Sequence, residues 1–290
     1  MPISTSRRLA AGTLSLALAG SFLTAATATT AQASSAAPAP TTKVWVTKYH
    51  NIEMPDRLRP GVHRFVVRTS RNAGFQIIRP RKGYTKREAL RDAARMFENV
   101  RVLRRFERNT VLMGGVNARK GDPGVMWTRL PRGRYWVLDV NDNRPKVRKV
   151  HDLRVAGERH RGLLPGTATI RSTGEVTWAP RPKAINNRGI LRYRNNSTDN
   201  HFIELAKLAP GKTVADFEEW LEQLMQGNEG PPPIDFSAAT SSGIIAPGKA
   251  MSMRYDLPPG KYMVLCWWPD SDMGGAPHVF MGMYRGITLR

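Results

Sequence analysis

The chain has 290 residues, 45 Lys and Arg against 23 Asp and Glu, and a formal net charge of +22. A single cysteine, Cys266, excludes any disulfide framework within the chain. The positive charge favours anionic partners such as cell-wall polyanions, lipid headgroups or nucleic acid, but it serves equally as a solubilising surface.

The N-terminus sets the compartment. Arg7 and Arg8 form a short positive region, an apolar Ala-rich stretch follows from Leu9 to Ala28, and Ala31-Gln32-Ala33 is a small-x-small cleavage pattern. Residues 1–33 therefore read as a signal peptide, with delivery to the extracellular side or the cell envelope. Thr24, Thr27, Thr29 and Thr30 interrupt the apolar run and no stop-transfer charges follow, so no transmembrane segment is expected after its removal. Residues 34–43, rich in Ser, Ala and Pro, read as a disordered spacer. In this setting Cys266 is a buried thiol, an intermolecular bridge or a metal ligand.

The remainder repeats itself. Leu130-Pro131-Arg132-Gly133-Arg134-Tyr135-Trp136-Val137-Leu138-Asp139 recurs as Leu257-Pro258-Pro259-Gly260-Lys261-Tyr262-Met263-Val264-Leu265-Cys266. Upstream, the block starting at Tyr84 matches the one starting at Lys212, and Arg64–Arg68 matches Gly189–Tyr193. Three blocks in one order indicate a duplication. The expected division is a first domain at 44–157, a linker at 158–166 and a second domain at 167–290.

Each copy predicts the same elements. Val66–Thr69 and Ile190–Tyr193 are apolar runs ending in polar turns, as strands do. Thr85 with Glu88, and Thr213 with Asp216, have the spacing of reciprocal helix caps. Val214, Phe217, Leu221 and Leu224 recur at helical spacing and should face the core. Met251, Met253 and Tyr255 alternate as a strand's inner face, Tyr262–Trp267 is a continuous apolar strand, and Gly286–Leu289 closes the chain. The reading is a mainly β protein of two β-sandwich domains, each with one inserted helix.

The second copy carries soft and imidazole donors near its strand ends. His201 follows the Asn-rich segment Asn195–Asn200, Cys266 ends the apolar strand, and His278 follows Gly274-Gly275-Ala276-Pro277. Met283 lies five residues further on, after Gly282. A thiolate, two imidazoles and a thioether form a set that selects copper, with the Met as a weak axial ligand. Each residue also has a plainer reading. Cys266 can be a small buried hydrophobe, His201 can bond Asp199 or Glu204, His278 can satisfy a turn, and Met283 can be core.

This order resembles that of the cupredoxins, the blue-copper proteins. In that family the first histidine opens a strand after an Asn-rich turn, and the cysteine ends the penultimate strand. A loop then brings the second histidine and a Gly-Met pair before the last strand. The resemblance covers Gly166–Arg290 and extends to secreted bacterial cupredoxin-like domains with Cys-x-x-Pro-Asp followed by Pro-His. It implies cupredoxin-like Greek-key β-sandwiches and one copper held by His201, Cys266, His278 and Met283, with Met281 as a rival axial ligand. The loop departs from the family: eleven residues, Trp267 to Pro277, separate the cysteine from the histidine where blue-copper proteins have only a few. Trp267, Trp268 and Asp270 can shield the site or cap the core.

The first copy is an internal control. Aligned by strands, Gly74 stands opposite His201 and Asp139 opposite Cys266. The Gly-Met region becomes Arg144-Pro145-Lys146-Val147-Arg148, without a methionine, and His151 falls inside the last strand. The first copy is therefore expected to bind no metal. There is no zinc-hydrolase spacing, phosphate-cradling glycine loop or nucleophile elbow. The expectation is a copper-binding protein for electron transfer or copper buffering, working with a redox partner and without turnover. The alternative is a metal-free basic module on the envelope, holding anionic cell-surface polymer. Specific nucleic-acid binding is not expected.

Overall fold

A computed structural model describes residues 38–140, 150–228 and 230–290 of the chain. The signal peptide assigned to 1–33, residues 34–37 of the spacer and the segment Arg144-Pro145-Lys146-Val147-Arg148 lie outside the described residues.

Period-two burial marks the strands. The first half runs β1 (Thr41–Val46), β2 (Ile52–Glu53), β3 (Arg57–Leu58), β4 (Gly61–Thr69) and β5 (Ala73–Pro80). Two helices follow, α1 (Lys86–Ala93) and α2 (Val100–Asn109), then β6 (Thr110–Ala118), β7 (Gly124–Leu130), β8 (Gly133–Asp139) and β9 (His151–Val155). The second half runs β10 (Ala168–Thr173), β11 (Thr177–Trp178), β12 (Ala184–Ile185), β13 (Arg188–Asn195), β14 (Glu204–Leu208) and α3 (Val214–Met225). It ends with β15 (Ile234–Ser241), β16 (Ala250–Asp256), β17 (Gly260–Leu265) and β18 (Tyr284–Leu289).

The fold is mainly β, in an arrangement consistent with cupredoxin-like sandwiches. One scheme of pairing occurs in both halves. β1 lies parallel to β4 as β10 does to β13, and β4 pairs antiparallel with β7 as β13 does with β16. On the facing layer β8 lies between β5 and β9 as β17 lies between β14 and β18. Each half thus contributes a five-stranded sheet, β3-β9-β8-β5-β6 or β12-β18-β17-β14-β15. The opposing layers merge into one eight-stranded sheet, β11-β10-β13-β16-β7-β4-β1-β2. Aromatic packing between layers is direct: Phe65 on β4 meets Phe75 on β5 with ring centroids 5.5 Å apart.

Two expectations need correction. β1 begins at Thr41, so Thr41–Lys43 belong to a strand and not to the spacer. The β-branched Thr41 and Thr42 continue the alternation that buries Thr42, Val44 and Val46. The first half also has two inserted helices, not one. α1 carries the expected Thr85–Glu88 capping box. α2 is the run Arg101–Arg108, in which arginines mask a narrow apolar stripe of Val102, Leu103 and Phe106. Its cap is Asn99, whose side chain accepts from the N–H groups of Arg101 and Val102 at 3.0 and 3.2 Å.

In the second half α3, with its Thr213–Asp216 capping box, buries Phe217 and Leu221 against Ala206, Leu208, Met263 and Leu265. Since a strand alternates faces, Met263 and Leu265 under the helix leave Tyr262, Val264 and Cys266 facing the inner core. That alternation turns the only thiol inward.

The halves meet along a seam. β16 pairs antiparallel with β7 at Met251–Thr128, Ser252–Trp127 and Met253–Met126. Beside it the buried Gln76 acts as a strand bridge. Its Oε1 accepts from Ile244 N–H at 2.9 Å, and its Nε2 donates to the carbonyls of Ile244 at 3.0 Å and Gly114 at 3.2 Å. Residues 156–167 connect β9 to β10 without regular structure.

Candidate metal centre

His201 stands just before β14, held by a two-way backbone bridge with Ile245 at 3.2 and 2.9 Å. Cys266 follows the last residue of β17. His278 opens a short 3-10 turn, His278–Met281, that leads into β18. The loop between Cys266 and His278 is longer than the family pattern, but its base is closed. His278 N–H donates to the Trp268 carbonyl at 2.9 Å, and Asp270 N–H to that of Ala276 at 2.9 Å. The Asp270 carboxylate caps the tip, accepting from the N–H groups of Asp272 and Met273 at 2.6 and 2.9 Å. Closure entropy rises only slowly with loop length, so eleven residues close as a small hairpin without separating their ends.

Three of the four sequence candidates converge. The Nδ1 atoms of His201 and His278 are 2.9 Å apart, and Cys266 Sγ lies 3.7 Å from each. All three residues are buried, and their donor atoms lie within 4.8 Å of one another. Ligand atoms at ~2.0–2.3 Å from one ion stand roughly 3–4 Å apart, so the triangle has the dimensions of a coordination face.

Met283 is fully buried next to this triangle. Its N–H donates to the His278 carbonyl at 3.0 Å, and its carbonyl accepts from Cys266 N–H at 3.3 Å and from the Trp178 indole at 3.0 Å. Gly282, at φ +92°, makes the left-handed turn that admits Met283 to the core, a conformation glycine adopts without strain. The rival Met281 is only half-buried.

Neighbouring groups set the state of each donor. His201 Nε2–H donates to the Glu175 carbonyl at 2.8 Å, which leaves its Nδ1 as the lone pair aimed at Cys266 and His278. His278 presents its Nε2 to the Asp270 carboxylate at 3.8 Å. Burial lowers His201 to about 3, with His278 adding to the shift, and lowers His278 to about 4 against the opposing pull of Asp270. Both imidazoles are neutral, as ligands must be. Burial pushes the Cys266 thiol up to about 12, although the N–H groups of Phe202 and Trp268 point at its sulfur. The two imidazole nitrogens at 2.9 Å share one proton; a cation between them and the thiolate satisfies all three donors. The donor chemistry fits copper.

The same place in the first half holds different chemistry. Asp139 replaces the cysteine. Its Oδ1 accepts from Gly74 N–H at 2.9 Å, and its Oδ2 meets His50 Nδ1 at 2.8 Å and the Arg71 guanidinium. A carboxylate paired with the Arg71 guanidinium and in contact with His50 occupies the space. The alignment of Gly74 with His201 shifts by one residue. The N–H of Gly74 points at Asp139 as that of Phe202 points at Cys266, and Ala73 pairs with Ala118 as His201 bridges to Ile245. Ala73 is thus the counterpart of His201. His151 opens β9, as expected of the last strand of this half.

Sequence reasoning missed Glu107. Its Oε1 accepts from the Trp268 indole at 2.8 Å and from Asn200 Nδ2 at 3.0 Å, bringing α2 of the first half against the site. No pattern within the second half points to it.

Comparison with known proteins yields solved structures alone. No protein-family model matches the chain, and no curated protein does. A reduced auracyanin from Roseiflexus castenholzii is 21% identical, covering 44% of this chain and 98% of its own, with a TM-score of 0.27. Auracyanin A from Chloroflexus aurantiacus, titled a "blue" copper protein, is 13% identical over 43% of this chain and 100% of its own, also at 0.27. A laccase-like multicopper oxidase, CueO, from Ochrobactrum sp. is 8% identical over 87% of this chain and 67% of its own, at 0.23. Because oxidases stand among these neighbours, the expectation that the chain is no enzyme is withdrawn. Scores this low carry no activity across to this chain.

Proposed function

We propose that this chain is an extracytoplasmic copper-binding protein. In its second half His201 Nδ1, His278 Nδ1 and Cys266 Sγ would hold one copper ion, with the Met283 thioether as a further, weaker donor. The carrying observation is the buried triangle of donors at 2.9, 3.7 and 3.7 Å, with the His201 tautomer set by Glu175. Copper would supply one-electron exchange or simple storage. The chain's residues keep both imidazoles neutral, keep water out through Trp268 and Met283, and yield the Cys266 proton on binding. Electron exchange would engage a redox partner protein.

Further features support this assignment. The N-terminal signal pattern at 1–33 fits export, and among the described residues no helix is long and apolar enough to cross a membrane. The repeated pairings of the two halves support an ancestral duplication, dividing at 158–166, in which the first copy has lost its ligands. The basic surface supports a second reading, binding of anionic cell-surface polymer. It narrows on inspection, since Arg105 is committed to Asp92 and Arg104 to Ser271 and Asp272, which leaves Arg101 and Arg108 exposed on α2. Polymer binding through them would weaken steeply from low to moderate salt.

The copper reading is tested by titrating the metal-free chain with copper(II). The expected result is intense thiolate-to-copper colour saturating at one equivalent and lost in Cys266→Ser. A colourless mixture in which the thiol still reacts fully sinks it.

A further inference from the structure

The long ligand loop raises a physical question: what keeps it rigid enough to hold His278 beside Cys266? Backbone bonds close its base, but its outer side needs a support. The support comes from the half of the chain that lacks the ligands.

Three residues of the first half reach across. Glu107 on α2 accepts from the Trp268 indole at 2.8 Å and from Asn200 Nδ2 at 3.0 Å. Asn200 directly precedes His201, and Trp268 lies two residues after Cys266, with its own backbone N–H aimed at the thiol sulfur. Its carbonyl is the group that receives His278 N–H. One carboxylate therefore fixes residues adjoining all three donors. Next to it Phe97 packs edge-on against Trp268, ring centroids 5.8 Å apart at 79°. At the loop tip Arg104, one turn before Arg108, donates to the Ser271 carbonyl and pairs with Asp272 at 3.1 Å. Trp268 is left 2% exposed under this cover.

We propose that α2 of the first half is the positioning element of the metal centre, with Glu107 as its key residue. This rests on the copper reading for its purpose, though not for its geometry. Glu107 is not a ligand. It acts through Trp268 and Asn200, holding the loop so that the donor triangle exists before metal arrives, as preorganised sites require. The half without ligands thereby replaces the rigidity that a short ligand loop would supply by itself.

The test compares Glu107→Ala and Glu107→Gln in the full chain. In metal-free protein the reaction of Cys266 with an aromatic disulfide reagent reports opening of the loop. Glu107→Ala removes both hydrogen bonds, from Trp268 and from Asn200, and should speed it about tenfold or more, with the sandwich still folded. Glu107→Gln keeps an acceptor oxygen and should stay near the parent rate. After copper(II) loading, Glu107→Ala should show a weakened thiolate-to-copper band that Glu107→Gln restores. If Glu107→Ala does not fold, Trp268→Phe removes the donor and keeps most of the ring, and should give the same acceleration. A parent-like labelling rate in Glu107→Ala, or in Trp268→Phe, overturns the proposal. Equal acceleration by Ala and Gln overturns it as well. A parent chain that takes no copper ends the copper reading and leaves the labelling rates to decide this one.

Discussion

Cys266 is stable in the metal-free protein because it is a protonated thiol. Burial holds it at about 12, so copper must displace its proton, whereas the two imidazoles, lowered to about 3 and about 4, bring none. The sign follows directly. One proton is released on binding, so the apparent copper affinity should rise about tenfold per pH unit between roughly pH 6 and 9. Competition against a chelator of known proton dependence measures this slope. A flat dependence would exclude the thiolate as ligand, and a slope of two would mean that one imidazole is protonated beforehand. That His201, Cys266 and His278 come together is legible from residue type and order near the strand ends. Glu175 was not legible, since its carbonyl belongs to the backbone and any residue supplies one. The one-residue shift between Gly74 and Ala73 was hidden for a similar reason: neither side chain takes part in the polar cluster around Asp139.

At the scale of elements, local rules served where the chemistry was local. Both reciprocal caps, Thr85–Glu88 and Thr213–Asp216, form as their spacing suggests. β16 buries Met251, Met253 and Tyr255 as alternation requires. α2 escaped because its apolar stripe is three residues wide within a run of arginines. Its role depends on what it touches 161 residues away in the chain, at Trp268. The loop from Trp267 to Pro277 posed the opposite difficulty. Its length departs from the family pattern, but Asp270 and the Trp268–His278 hydrogen bond turn it into a closed hairpin. Loop length alone says little about where its ends lie.

Over the whole molecule, the two halves are fused through a sheet and not strung on a linker. Gln76 adds to that seam as a buried amide with its oxygen and nitrogen both engaged. Gln76→Ala strands the N–H of Ile244, whose carbonyl keeps the Gly114 N–H at 3.0 Å, and one such orphan costs about 1–3 kcal/mol. Chemical denaturation should therefore show a loss of ~1–3 kcal/mol, with copper binding at saturation retained by the folded fraction. A change near zero would mean that the backbone bonds across the seam hold it without the Gln76 side chain. The matching order of sequence blocks points to two similar halves, but not to this junction, because a strand glutamine looks the same whether it faces water or another strand.

The central claim is that two imidazoles and one thiolate, distant in the chain, share a single copper ion. X-ray absorption at the copper edge of the loaded protein addresses it most directly. The account predicts one sulfur at about 2.3 Å and two nitrogens at about 2.0 Å in the same shell. A shell of nitrogen and oxygen alone, with Cys266 still open to thiol reagents, would contradict it.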